Sequence, residues 1–138
     1  MIEINTLHIG SHVHIGGKMH RIAAIDALNG QIGIDAYTTD AKGVKHPFGY
    51  KIEDVEPILI TEELLTELGF EKRESGSFAK GYAPDSWIFI TLYATNELCK
   101  VNIFPSDPRK EASSVLGCYL HELELFLYLT TKTELIKE

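Results

Sequence analysis

The chain is predicted to be α+β, and three observations carry that prediction. Short β-like runs separated by glycine fill residues 1–57, three further strand candidates lie between Phe78 and Phe104, and an apolar run of helical spacing extends from Val115 to Leu129. Together they describe a small N-terminal antiparallel β-barrel or hairpin sheet, a short linking helix, and a three-stranded antiparallel meander covered by a C-terminal helix. The first 57 residues form one β-rich subdomain and residues 58–138 an α+β subdomain, the two standing apart or joined in one continuous unit.

In the first part the strand candidates are His12 to Ile15, Lys18 to Ile25, Gln31 to Tyr37 and Tyr50 to Val55. Gly16-Gly17 and Asn29-Gly30 supply the turns, because glycine reaches positive φ without steric penalty and asparagine tolerates it. Thr38 to Pro47 is polar and contains glycine, which predicts a longer loop. After Pro57, Thr61-Glu62-Glu63 opens a helix through Leu68: Thr61 can cap the free amides, and the two carboxylates face the positive end of the dipole. Ile60 and Leu65 are placed as a hydrophobic staple, Leu64, Leu65 and Leu68 form one stripe, and Gly69 sits where a left-handed residue ends a helix.

Phe78 to Ala83, Trp87 to Tyr93 and Leu98 to Phe104 follow, joined by Pro84-Asp85-Ser86 and a turn near Thr95-Asn96. The middle run is apolar on both alternating faces, which predicts a central strand covered on both sides. Lys80, Lys100 and Asn102 mark the outer two as edges.

In the last run, Val115, Leu116, Tyr119, Leu120, Leu123, Phe126 and Leu127 fall in one stripe at about 100° per residue, enough to cover a sheet. Cys118, Leu125, Tyr128 and Leu129 crowd the opposite face, with only His121, Glu122 and Glu124 to solvate it. Leaving each such apolar side chain in water forfeits roughly 1.5–3 kcal/mol of burial. Either the N-terminal subdomain lies over this second face, or a partner or a second copy docks there. For docking, His121, Leu125, Tyr128 and Leu129 would be the contact residues.

Bulk properties narrow the function. A 138-residue chain with 44% hydrophobic and 24% charged residues has the composition of an ordinary soluble domain, and a formal charge of −7 opposes attraction to phosphate backbones. No stretch has the length of a membrane-spanning helix, and Met1 to Asn5 lacks a basic, then apolar, leader; a cytoplasmic protein is expected. Cys99 and Cys118 match no close-spaced metal or redox motif and read as buried free thiols.

Chemistry-bearing constellations are few. His12-x-His14 places two imidazoles on one strand face, and a three-residue loop, Gly16 to Lys18, would set His20 opposite His14 and complete a three-histidine metal face; a two-residue turn pairs His20 with Val13 and destroys it. Asp26 and Asp35 could add carboxylates. Glu62-Glu63, Glu53-Asp54 and Glu122-x-Glu124 point in different directions on a helix and read as solvated charge. Phe78, Tyr82, Trp87, Phe89 and Tyr93 could form an aromatic strip on which bases stack, although aromatic core is the commoner use of such residues. No dinucleotide fingerprint, phosphate loop or nucleophile elbow occurs, and no cofactor is implied.

Three stretches, Leu7-His8-Ile9-Gly10, Pro57 to Leu65 with Leu68-Gly69-Phe70-Glu71, and Tyr119 to Leu123 running on to Leu129-Thr130 and Glu134-Leu135, carry a resemblance. Together they resemble an uncharacterised family of small proteins from bacterial genomes and their phages or mobile elements. The likeness spans most of the chain. In that family glutamine and asparagine usually follow the histidine where this chain has Glu122, Glu124 and Leu125, so only His121 matches. The resemblance implies a β-rich first half and a cytoplasmic origin, and it brings no established activity. The leading expectation is therefore a non-enzymatic accessory protein that binds another protein, or itself, through its last helix. A metal-binding protein or enzyme using His12, His14 and His20, and a nucleic-acid-associated protein using the aromatic strip, are the alternatives.

Overall fold

Alternation of apolar and polar residues around glycine turns builds antiparallel sheets, and the computed structural model contains two principal ones, of four and five strands, one of them a half-barrel. It describes residues 2–34, 38–39, 41–43, 45–46, 49–93 and 97–136, with backbone alone at 38–39 and 45–46. The chain divides into two compact units, 1–58 with 120–125, and 59–119 with 126–138. The segment 120–125 thus groups with the first 58 residues, which a simple cut at Pro57 does not capture.

In the first unit, β1 (His12–Ile15), β2 (Lys18–Asp26), β3 (Gln31–Ile34) and β6 (Tyr50–Lys51) pair in that order. A separate two-residue pair, β4 (Thr38–Thr39) with β5 (Lys45–His46), lies within the expected loop. Residues 35–37, the end of the expected third strand, lie outside the described residues, and with them Asp35. Gly16 and Gly17 take φ of +60° and +77°, the left-handed values that a two-residue hairpin needs. At the next turn Asn29 donates to Asp26 through its backbone N–H (3.2 Å) and its side-chain amide (2.7 Å), and these bonds hold the Asp26 carboxyl below its ordinary range. After β6 a 3-10 turn, Ile52–Asp54, leads to Glu56, which exchanges two backbone hydrogen bonds with His14 and so closes the β1 edge. The core is Ile2, Leu7, Val13, Ile22, Ile32 and Val55.

The second unit opens with α1 (Glu62–Glu67). Thr61 Oγ1 accepts from the Leu64 N–H at 3.1 Å, Ile60 and Leu65 are fully buried, and Gly69 terminates the helix at φ +93°. Thr61→Ala is expected to lower stability by about 1 kcal/mol, read as an earlier urea midpoint with an unchanged slope.

The meander has five strands rather than three: β7 (Glu71–Lys72), β8 (Phe78–Ala83), β9 (Ser86–Leu92), β10 (Leu98–Phe104) and β11 (Ala112–Gly117), in sequence order across the sheet. β8 and β10 are therefore internal strands, despite Lys80, Lys100 and Asn102. The turn expected near Thr95-Asn96 lies outside the described residues. The C-terminal helix, α2 (Leu120–Thr131), begins five residues later than Val115, because Val115 to Gly117 belong to β11. Apolar residues at 115, 116, 119 and 120 fit a helical period, but Gly117 disfavours a helix by about 1 kcal/mol and Val115 suits a strand.

Phe78, Ile88, Ile90, Cys99, Val101 and Ile103 are buried on one face of the five-stranded sheet. Cys99 and Cys118 are buried thiols that form no disulfide; burial pushes the Cys118 thiol up, and its Sγ reaches the Ile60 carbonyl at 3.5 Å. No helix among the described residues is long and apolar enough to cross a membrane.

Candidate interaction surface

The first half of α2 does not present the apolar second face that its sequence suggests. His121 is only 2% exposed, with Nε2 3.1 Å from Thr6 Oγ1, and Glu124 is buried too. The Glu124 carboxylate accepts from the His12 backbone N–H and from His12 Nδ1, both at 2.7 Å. A carboxylate can only accept, so Nδ1 carries the proton. Glu124 and His121 are thus interior polar groups of the first unit, and neither solvates an outer face. Cys118 precedes the helix and is buried, and Leu125 is half-buried. Of the four contact residues expected on this helix, Tyr128 and Leu129 (63%) alone are exposed.

The histidine face fails on register. His14 pairs with Met19 and His20 with Val13, the outcome of a two-residue turn, so His20 does not join His12 and His14. No cluster of three or more His, Cys, Asp or Glu among the described residues could hold a metal ion. The His12 side chain is instead committed to Glu124.

A group of exposed apolar side chains lies on the five-stranded sheet. Directly opposed residues of antiparallel strands share a face. Trp87 faces Phe104 and Gly81, Phe89 faces Asn102 and Ala79, and Lys100 faces Thr91 and Val115; this is the side opposite the buried Ile88, Ile90 and Val101. On it Trp87 (41%), Phe104 (42%) and Val115 (53%) are exposed, so β9 is covered on one side rather than both. Phe89 and Phe104 meet edge to face at 5.4 Å, and the Arg73 guanidinium lies 5.5 Å from the Trp87 ring centre. The indole lies over Gly81, where a Cβ would meet the Trp87 ring at 3.8 Å, an ordinary van der Waals contact. A recess of about 280 Å³ lined by Asn102, Ile103, Phe104, Glu111, Ala112 and Ser113 adjoins the aromatic end.

Of the five aromatic residues expected in one strip, Phe78 is buried on the opposite face, while Trp87 and Phe89 share the open one. Phe104, which is not among those five, completes the group. Its signal was available: an aromatic residue at the same end of the neighbouring strand, where the antiparallel register brings it opposite Trp87. No family model, curated protein or solved structure matches the chain.

Proposed function

We propose that this chain is a non-enzymatic interaction module, an accessory protein of a phage or mobile element, whose docking surface is the open face of the five-stranded sheet. The observation that carries the reading is the exposed Trp87–Phe104 pair, braced by Phe89, with Val115 and Leu98 exposed farther along the same face. Exposed aromatics that are rigidly held by their neighbours bury large area at small entropic cost, which is why such residues anchor protein interfaces. Arg73 beside the Trp87 ring and Lys100 within the face would pair with acidic groups of the partner. The resemblance to small phage and mobile-element proteins supports the accessory role, and Tyr128 and Leu129 are the exposed apolar residues of the last helix.

Trp87 is the only tryptophan of the chain, so its fluorescence reports on this face directly. Proteins that co-purify with the chain from its own cells are titrated while emission and acrylamide quenching are followed. Docking is expected to shift emission to the blue and shield the indole. Trp87→Ala with Phe104→Ala should weaken binding by roughly 2 kcal/mol or more, about thirtyfold. A partner that binds while Trp87 stays fully quenchable removes the reading. A shift produced by single-stranded oligonucleotides at low salt reassigns the face to base stacking, against the charge of −7.

A further inference from the structure

The two edges of the five-stranded sheet differ in kind. At one end β7 is two residues long, Glu71–Lys72, both charged and exposed, and such an edge repels further pairing. At the other end β11 reads Ala-Ser-Ser-Val-Leu-Gly, six residues without charge or proline, and its pairing with β10 runs without a bulge. None of the devices that usually blunt an edge is present in it.

The hydrogen-bond parity of β10 shows which of its groups are open. Tyr93 N–H donates to the Leu98 carbonyl at 3.3 Å, so Leu98, Lys100 and Asn102 present their backbone groups to β9, whereas Cys99, Val101 and Ile103 present theirs to β11. Their opposite residues, Leu116, Ser114 and Ala112, are therefore spent on β10. Ser113 and Val115, both exposed, direct N–H and C=O outward and have no backbone partner among the described residues. Past the strand the edge is closed, because Ile60 N–H donates to the Cys118 carbonyl at 2.9 Å and Leu59 bridges Tyr119.

We infer that β11 is a self-pairing edge and that its partner is the β11 strand of a second copy of this chain, antiparallel about a two-fold axis through Ser114. The sequence is self-complementary in that register. Ser113 of each copy meets Val115 of the other, so all four open groups on each strand bond. Ser114 faces its own counterpart, and Ala112 faces Leu116, with no charge opposing a like charge. The 3-10 turn at Pro108–Lys110 ends just before the strand. The result is one ten-stranded sheet whose two open faces run on across the axis. Since each copy carries a charge of −7, association strengthens as salt screens the repulsion.

Sedimentation equilibrium from micromolar to millimolar concentration tests this. The mass is expected to rise from 15.5 kDa toward twice that value, more steeply at higher salt. Amide exchange at Ser113 and Val115 should slow as concentration rises. Val115→Glu sits opposite Lys100 of its own chain, keeps the ladder to β10 and sets two like charges beside the axis; it is expected to weaken association at least roughly tenfold. Ser113→Pro removes one outward N–H and should do the same. Trp87→Ala should leave association unchanged, which separates this inference from the docking reading. A chain that stays monomeric throughout, or a dimer indifferent to both edge substitutions, overturns it.

Discussion

Glu124→Ala is expected to lower stability by about 3–5 kcal/mol. Its carboxylate is buried and accepts two hydrogen bonds from one residue, the backbone N–H and Nδ1–H of His12, each 2.7 Å long. Alanine leaves both donors buried without an acceptor and opens a void where the carboxylate stood, so desolvation is no longer offset. Against a typical total of about 5–15 kcal/mol, that loss is a large fraction of stability. Glu124→Gln should cost much less, about 1–2 kcal/mol, because its carbonyl can serve the His12 N–H while its NH₂ faces the other tautomer of the ring. Since Trp87 lies in the second unit, fluorescence is the wrong probe here. Native-state amide exchange at Val13, Ile22 and Ile32 reads the first unit directly, and unchanged protection in the alanine variant refutes the assignment.

A fall in stability of about 2–3 kcal/mol between pH 6.5 and pH 4 is the second large effect, and its source is His121. Burial pushes this imidazole from 6.5 down to about 4, so the folded chain holds it neutral. Above pH 6.5 both folded and unfolded chains leave it uncharged and nothing is lost. As pH falls below 6.5 the unfolded chain takes up a proton that the folded chain refuses, and stability declines until the folded site also protonates near pH 4. His121→Gln keeps a side-chain donor for Thr6 Oγ1 and removes the titration. Comparing unfolding midpoints of the two proteins at pH 7.0 and about 4.5 isolates the contribution: the variant should lose markedly less on acidification. Equal slopes would place the acid sensitivity elsewhere.

Local chemistry made part of this protein readable in advance. Thr61 before two glutamates, Gly16-Gly17 between two alternating runs and Gly69 after a leucine stripe each specify a conformation through a few neighbouring atoms, and the elements they bound are present. β1, β8 and β10 run between the residues at which their alternation begins and ends. Val115 to Leu120 defeated the same reasoning, because side chains at 115, 116, 119 and 120 satisfy a helical stripe and a strand followed by a helix equally well. Only the pairing of Leu116 with Cys99 and of Val115 with Lys100 breaks that tie. The consequence for the candidate site is direct. A single long helix would carry all of the exposed apolar surface on α2, whereas α2 exposes Tyr128 and Leu129 and the group of Trp87, Phe104 and Val115 sits on the sheet.

The amino-acid order alone determined the α+β class, the turns and the caps, since these follow from φ preferences, side-chain period and the hydrogen-bond needs of helix ends, all of which act within a few residues. Tertiary structure decided which polar residues are interior and which apolar ones face outward. His12 meets Glu124 across 112 positions, and Trp87 meets Phe104 through a strand register; such contacts depend on how distant segments come together, which no local preference encodes.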